Sequence, residues 1–230
     1  MVAGEQEEYK RATKGEVELR FVSTLDESQP WQEPQKMLEG VDGVILGGSG
    51  EFDFDGGRTN DDPARTTSQE ILARVKPLVL YMIERDFPLL GICYGHQIVG
   101  EVLGVRVVHD EVQKKIGSYP VTLTDAGKQD SLFHDTPETF IGQYGHKDSL
   151  SALPAGAVVL ASSAVCKTSA LRFGTHAYTT QFHPELTPED VMRKLQNSPG
   201  YLPEGVEVDS IIKPSSDSSE LIPRFIERIV

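Results

Sequence analysis

Residues 88–100 read Pro88-Leu-Leu-Gly-Ile-Cys-Tyr-Gly-His-Gln-Ile-Val-Gly100, and this segment is the most informative one about the fold. It passes from an apolar run into a segment of helical pattern, with Cys93 at the junction and Gly91 and Gly95 two residues to either side. Flanking glycines let a chain bend sharply between a strand and a helix, which is the geometry of a nucleophile elbow. We therefore predict an α/β fold in which Cys93 ends a strand and begins a helix.

A cysteine in that position is suited to nucleophilic chemistry. The unpaired backbone N–H groups and the dipole at a helix N-terminus favour thiolate over thiol. The backbone N–H of Tyr94 would point toward an oxyanion formed on an attacked carbonyl. The same short pattern also fits a small buried cysteine in tight strand–helix packing, or a phosphate-binding turn, so it needs support from other segments.

That support comes from Gln181-Phe-His-Pro-Glu185, which closes an apolar run at Ala177–Phe182. His183 then lies at the carboxyl end of a strand, where catalytic groups collect in open α/β sheets. His183 can take the proton from Cys93, and Glu185 can hold the other imidazole nitrogen. A histidine alone would more often be structural, but beside the elbow it predicts a Cys93–His183–Glu185 triad.

Elsewhere, short apolar or β-branched runs alternate with helical patterns, which is typical of βα units around a mainly parallel sheet. A helix is predicted over Thr67–Arg85, capped by Thr66 or Thr67, with others at Glu5–Arg11, from Pro188 onward and over Leu221–Val230. Turns of the hairpin kind between Val105 and Phe182 indicate a mixed or partly antiparallel edge. Strands are predicted at Val17–Val22, Val41–Leu46, Pro88–Ile92, Val105–Val108, Tyr119–Leu123, Thr139–Gly142, Ala157–Ala161, Ser169–Phe173 and Ala177–Phe182.

Bulk properties fit one globular unit of ordinary composition, with 230 residues of which 38% are hydrophobic and 25% charged. We expect a catalytic domain over residues 1–197 and a C-terminal segment over 198–230 whose last helix packs on the same domain. The formal net charge of −13 argues against a nucleic-acid partner, which would require clustered Lys and Arg.

Two cysteines, Cys93 and Cys166, give no disulfide framework, and no signal-like start or membrane-length apolar run is seen. These features predict a cytoplasmic protein without a membrane contact. The acidic residues near Asp53 are expected to form a solvated loop rather than a metal site, and no cofactor is predicted.

Taken together, these motifs resemble those of the class I glutamine amidotransferases, whose glutaminase domain uses a Cys-His-Glu triad. A third segment, Val44-Ile-Leu-Gly-Gly-Ser-Gly50, is similar to the glycine-rich loop that completes the oxyanion hole in that family. The resemblance covers most of Val17–Gln196 in the family's motif order. It implies a flavodoxin-like three-layer α/β/α sandwich with a mostly parallel central sheet.

The resemblance also assigns roles to single residues. Gly48 would supply the second oxyanion N–H beside that of Tyr94, Gly50 would let the substrate lie close, and Gln97 would contact bound glutamine. The segment Gln143-Tyr-Gly-His-Lys-Asp148 resembles a loop that contacts the α-amino and carboxylate groups of glutamine, which places His146 at the substrate. Lys147 departs from the family, because its counterparts there often carry glycine.

The start of the chain departs as well. The family normally opens with a strand, a glycine turn and a helix before the strand that we predict at Val17–Val22, whereas Met1 falls at or within the first predicted helix. We therefore expect a sheet that lacks the family's first strand. Such a loss leaves backbone groups unpaired unless neighbouring segments close the gap.

The function implied by the resemblance is release of ammonia from glutamine through a γ-glutamyl thioester on Cys93. The segments flanking the motifs look most like stand-alone domains related to the glutaminase domain of GMP synthase. The sequence has no P-loop-like phosphate motif. We therefore expect a separate synthetase subunit to carry out any transfer of ammonia to an acceptor. Two alternatives remain open: a γ-glutamyl peptide hydrolase with the same triad, and a catalytically silent binding or regulatory domain.

Overall fold

A seven-stranded mixed sheet forms the centre of the protein in a computed structural model that describes residues 3–164, 166–197 and 208–228. The strands are β1 Val44–Leu46, β2 Leu89–Ile92, β3 Val107–His109, β4 Lys115–Leu123, β5 Thr139–His146, β6 Asp148–Leu150, β7 Val158–Ser162, β8 Ala170–Phe173 and β9 Ala177–Thr180. The helices are α1 Ala3–Ala12, α2 Pro34–Met37, α3 Pro63–Glu84, α4 Tyr94–Val102, α5 Asp125–Lys128, a 3₁₀ turn at Ser131–Phe133, α6 Pro188–Asn197, α7 Val208–Ile211, α8 Ser216–Ser219 and α9 Leu221–Glu227.

The order of strands across the large sheet is β1-β2-β9-β8-β7-β4-β5, and β3 pairs with β6 in a separate two-stranded sheet. Strands β1, β2 and β9 are parallel neighbours, and every other pairing is antiparallel. It follows that β1, β2, β9, β7 and β5 point one way, while β8 and β4 point the other. Most strands share one direction, as predicted, although parallel neighbours are confined to one side of the sheet.

The parallel side brings three chain segments to one edge. Leu46 pairs with Gly91, and Ile92 pairs with Thr180, so β1, β2 and β9 end at nearly the same level. The carboxyl ends of parallel strands meet at one edge, and the residues that follow each strand are therefore neighbours. The glycine loop after β1, Cys93 after β2 and the His183 segment after β9 converge there.

Helices cover both faces of this sheet, which makes three layers. In β2, Leu90 and Ile92 belong to one apolar cluster with residues of α1 and α9, whereas Leu89 belongs to a second cluster with residues of α3 and α4. Alternate residues of a strand face opposite sides, so a strand buried on both faces reads as a continuous apolar run. The predicted three-layer sandwich is confirmed.

Helix α3 begins earlier than the sequence pattern indicated. Asp62 is its N-cap and accepts a hydrogen bond from the backbone N–H of Ala64 at 2.8 Å, so the predicted caps Thr66 and Thr67 lie inside the helix. Pro63 occupies the first turn, where the absence of its N–H costs nothing. The buried stripe of the helix consists of Ile71, Val75, Leu78, Val79 and Met82.

The predicted strand at Val17–Val22 is wrong. This segment is described, but it has no regular secondary structure. Val17, Leu19 and Phe21 are partly buried against the apolar core, which explains the alternating sequence pattern. A strand needs a neighbour for its ladder of hydrogen bonds, and within the described ranges β1 pairs with β2 alone.

A smaller difference concerns the end of β9. The predicted strand Ala177–Phe182 stops at Thr180; beyond it, the N–H of Gln181 donates to Ser169 O at 2.9 Å and that of His183 donates to Gln143 O of β5 at 2.8 Å. Helix α9 buries Leu221, Ile222 and Phe225, while part of the predicted C-terminal segment lies outside the described residues. None of the helices in the described ranges has the length and hydropathy of a membrane span.

Candidate active site

Cys93 occupies the strained turn that the glycine spacing predicted. Its backbone is left-handed, with φ 51° and ψ −97°, and it is the N-cap residue of α4. A Cβ at Gly95 would lie 2.1 Å from the carbonyl oxygen of Leu46, so no larger residue fits there without moving backbone. Left-handed backbone at a residue other than glycine costs about 1–3 kcal/mol and is typical of functional sites.

His183 and Glu185 lie beside Cys93 at the same edge of the sheet. The imidazole Nδ1 is 2.6 Å from Glu185 Oε1, and both side chains are almost fully enclosed. Gly48 lies against both His183 and Cys93, because a Cβ on it would be 2.8 Å from His183 Cε1 and 3.7 Å from Cys93 Cβ. The structure thus brings together all three predicted triad residues and the predicted oxyanion glycine.

The charge state of His183 follows from these neighbours. Burial alone would lower the pKa of His183, but the carboxylate of Glu185 and a Cys93 thiolate raise it, and together they hold it well above its usual range. The imidazole therefore favours its protonated form when it sits between two anions. Such an arrangement suits a histidine that receives a proton from the thiol and later delivers it.

The other predicted oxyanion donor, Tyr94, is the first residue of α4. Its backbone N–H is one of the groups at the start of a helix that have no partner within the helix. Its ring stacks on Phe54 at 5.2 Å between centroids, which fixes the start of the helix. At Gly50 an added Cβ would meet no atom within 4 Å, and the role of this residue at the substrate stays a prediction.

A small pocket, with a cavity volume of about 20 Å³, opens beside the cysteine. Its walls include the predicted substrate residues Gln97 and His146, together with Ser49, Phe52, Asp53, Cys93, Tyr94, Gly145, Lys147 and Asp148. A larger and more open groove lies at Trp31 and Arg74, and none of the predicted site residues line it. The small pocket is the candidate substrate site because it contains the nucleophile.

The backbone carbonyl of Asp148 organises one wall of this pocket. Gln97 donates to it through Nε2 at 2.9 Å, and His146 Nδ1 lies 3.0 Å from it. Burial lowers the pKa of His146 to about 4, so this histidine is neutral at physiological pH. Gln97 and His146 therefore present neutral hydrogen-bonding groups to the pocket.

Lys147 and Asp53 face each other at the pocket, with their charged atoms 3.8 Å apart. Asp53 also pairs with Arg58 at 2.7 Å, so it is not the freely solvated acid that the sequence suggested. The carboxylate of Asp148 accepts hydrogen bonds from the N–H groups of Asp55 and Gly56 at 2.8 and 2.7 Å. Within the described ranges, no cluster of three or more His, Cys, Asp or Glu is arranged to hold a metal ion.

Two residues near the triad escaped the sequence analysis. Gln181 directs its amide Nε2 toward Cys93 Sγ at 3.7 Å, and it lies within the same motif as His183. Tyr9 comes from α1, and its hydroxyl oxygen would be 2.9 Å from a Cβ at Gly47. Burial, and next the charge of Glu185, raise the pKa of Tyr9 well above its usual value.

Helix α1 is also tied to the segment that carries Glu185. Arg11 donates to the backbone carbonyl of Glu185 at 3.3 Å and forms a salt bridge with Asp190 of α6. The buried carboxylate of Glu8 pairs with Arg193 at 2.9 Å and with Lys194 at 3.1 Å. The first helix thereby covers the triad from the side opposite α3 and α4.

Comparisons with known proteins point to one family. The family described as "Glutamine amidotransferase class-I" matches residues 18–198 of the chain. One subunit of the glutamine-hydrolysing GMP synthase of Archaeoglobus fulgidus is 32% identical over 155 residues, covering 66% of this chain and 71% of that protein. The corresponding subunit of Methanocaldococcus jannaschii is 26% identical over 172 residues, covering 73% and 79%.

The fold has a counterpart among solved structures. A glutamine amidotransferase from Thermotoga maritima superposes with a TM-score of 0.71 and 19% identity, covering 97% of this chain and 90% of that one. At that identity the likeness concerns the fold, and it supports the flavodoxin-like type predicted from the motifs.

Proposed function

Because the chain belongs to the class I glutamine amidotransferase family, we propose that it hydrolyses the side-chain amide of glutamine through Cys93, His183 and Glu185. The observation that carries the proposal is the contact of 2.6 Å between His183 and Glu185, with Cys93 and Gly48 on the adjoining side of the imidazole. Covalent catalysis of acyl transfer requires a nucleophile that contacts a base, and an acid that contacts and orients that base.

The reaction begins when the Cys93 thiolate attacks the amide carbonyl carbon. The backbone N–H groups of Gly48 and Tyr94 stabilise the oxyanion, and His183 protonates the departing ammonia. A γ-glutamyl thioester remains on Cys93. Water that has lost a proton to His183 then attacks the thioester, and glutamate and the free thiolate are released.

Gln97, His146 and Gly50 complete the proposal as substrate-binding residues. Gln97 and His146 line the pocket beside Cys93, where their neutral donors and acceptors suit hydrogen bonding to a bound glutamine. The similar archaeal proteins are subunits of a glutamine-hydrolysing GMP synthase, so a separate synthetase subunit is the proposed recipient of ammonia. We place the enzyme in the cytoplasm, where glutamine and nucleotide precursors meet.

A γ-glutamyl peptide hydrolase is the second candidate, and Lys147 is the observation that favours it. This side chain lines the pocket and faces Asp53 across 3.8 Å, where the resembled family often has glycine. A cation at the wall of the pocket suits a substrate with an additional carboxylate, which would compete with Asp53 for the ammonium group. Parallel assays of ammonia release from glutamine and of amine release from γ-glutamyl dipeptides distinguish the two activities, and a silent binding domain would show neither.

The nucleophile can be tested directly with a chloroketone analogue of glutamine. We expect labelling at Cys93 and none at Cys166, because Cys166 is fully buried and burial raises the pKa of its thiol. Peptide mapping by mass spectrometry locates the label. Cys93→Ala should lose more than about a thousandfold in glutaminase rate, while Cys166→Ala retains it. Equal labelling of the two thiols, or an active Cys93→Ala variant, contradicts the proposal.

A further inference from the structure

Gln181 is a fully buried amide whose hydrogen-bond donor faces the sulfur of the proposed nucleophile. Its Nε2 lies 3.7 Å from Cys93 Sγ, and among the described residues its Oε1 has no hydrogen-bond partner. Burying a polar amide with one group unsatisfied costs about 1–3 kcal/mol. Because this cost is borne beside a nucleophile, we expect an effect of the amide on that nucleophile.

The backbone holds both partners of this contact in place. Ile92 of β2 pairs with Thr180 of β9, and the N–H of Cys93 donates to Thr180 O at 2.7 Å. Gln181 is next in the chain, and its own N–H is bound to Ser169 O at 2.9 Å. The amide therefore approaches the sulfur from a fixed backbone rather than from a mobile loop.

We propose that Gln181 is a positioning residue that stabilises the thiolate of Cys93 by donating its amide N–H to the sulfur. The inference rests on the proposed function for the role of Cys93 as nucleophile. A donor gains more from an anionic acceptor than from a neutral one, so the contact favours thiolate over thiol. Because the amide does not titrate, it supplies this stabilisation at every pH.

Two ionisable groups interact with Cys93, namely His183 from the segment after β9 and Tyr9 from α1, and the charge of Glu185 acts on both of them. The thiol and the imidazole titrate as a coupled pair, so a measured midpoint belongs to both. A comparison of two proteins that differ only at Gln181 keeps His183, Glu185 and Tyr9 constant. The difference between their midpoints then measures the effect of the Gln181 amide on the titration of the thiol–imidazole pair.

The test uses Gln181→Met, which keeps the length of the side chain and removes the donor, in a Cys166→Ser background. The rate constant for alkylation of Cys93 by iodoacetamide is measured as a function of pH, since the thiolate is the reacting species. We expect the midpoint to rise by about one pH unit, and the rate below both midpoints to fall about tenfold. Alkylation needs no turnover, so this result stands apart from the outcome of the glutaminase assay.

Tyr178→Phe serves as the matched control. It lies on β9 and removes a buried hydroxyl that contacts Asp130 and Thr175, so its midpoint should equal that of the parent. Gln181→Leu, which also lacks a donor and adds no charge, provides a second variant should the methionine protein fail to fold, and its midpoint should also rise. An unchanged midpoint in the folded variants overturns the proposal, and so does a lower one, which would mean that the amide oxygen accepts from the thiol.

Discussion

Glu185 uses one carboxylate oxygen for His183, and within the described residues its second oxygen, Oε2, is buried without a hydrogen-bond partner. The charge of this carboxylate is also what raises the pKa of His183 against the effect of burial. Glu185 therefore both orients the imidazole and supplies a negative charge. Substitution by glutamine removes the charge but keeps an oxygen that can orient the imidazole.

We predict that Glu185→Gln lowers the glutaminase rate by at least about a hundredfold but leaves it measurable, whereas His183→Ala abolishes it. Without the carboxylate, the pKa of His183 falls, so the imidazolium loses its proton at a lower pH. The alkaline limb of the kcat/KM profile should therefore move to lower pH. Steady-state rates across pH check both statements.

The double variant Cys93→Ala/Glu185→Gln supplies the control for that prediction. Residues that act as a unit do not contribute additively, so the double variant should be no worse than Cys93→Ala alone. A Glu185→Gln protein as inactive as Cys93→Ala would show that the acid does more than orient and charge the imidazole.

At this scale the sequence predicted the principal residues. Cys93, His183 and Gly48 each follow an apolar strand, and parallel strands bring their carboxyl ends together. Gln181 and Tyr9 could not be predicted in the same way. The direction of the Gln181 side chain depends on where β9 ends, and the contact of Tyr9 depends on how a remote helix docks.

At the level of elements, α1 and the turn after β1 form one unit. The Tyr9 hydroxyl fills the space beside Gly47, and Glu8 and Arg11 fasten the same helix to α6. The turn that carries Gly48 is thus supported from outside the site by a helix that makes no contribution to any motif. Support of this kind controls the geometry of an oxyanion hole without touching the substrate.

We predict that Gly47→Ala destabilises the protein by about 1–3 kcal/mol and lowers activity, because the new methyl group would lie 2.9 Å from the Tyr9 hydroxyl oxygen. Adding Tyr9→Phe removes that oxygen and should restore part of both losses. Urea unfolding and glutaminase rates of the two single variants and the double variant measure the coupling. Losses that simply add would mean that the helix and the turn are independent.

The segment at Val17–Val22 shows which structural property an alternating apolar pattern indicates. Val17, Leu19 and Phe21 alternate because one side of the segment packs on the core, and to that extent the pattern indicates burial correctly. Whether such a segment becomes a strand depends on whether it lies alongside a strand edge in register. In the described ranges β1 pairs with β2 alone, and Val17–Val22 does not pair with its other edge. Of the strands in the described ranges, β6 at Asp148–Leu150 was not predicted, and the bounds of the others were predicted to within about four residues.

For the molecule as a whole, two buried histidines link stability to pH. Burial lowers the pKa of His96 to about 3 and that of His146 to about 4. Both are neutral in the folded protein, while an unfolded chain binds protons near pH 6.5. The stability that they contribute is complete above about pH 6.5 and is lost as the pH falls toward the folded values.

We predict that the wild-type protein loses about 2 kcal/mol more unfolding free energy between pH 7 and pH 5 than does His96→Gln. The remaining acids titrate in both proteins, so the difference isolates one histidine. Urea unfolding at the two pH values measures it. Equal losses in the two proteins would show that His96 gains its proton without unfolding, for example through the contact of its Nδ1 with Thr179 at 2.8 Å.

The left-handed backbone at Cys93 sets two selection pressures against each other. At φ 51° a glycine is relaxed, whereas any side chain there stores strain. A screen for heat resistance alone would favour glycine at this position, and a screen for turnover would favour cysteine. A lineage that no longer needs the activity can therefore become more stable by replacing this cysteine with glycine. The residue at this position then shows whether activity or stability was under the stronger selection.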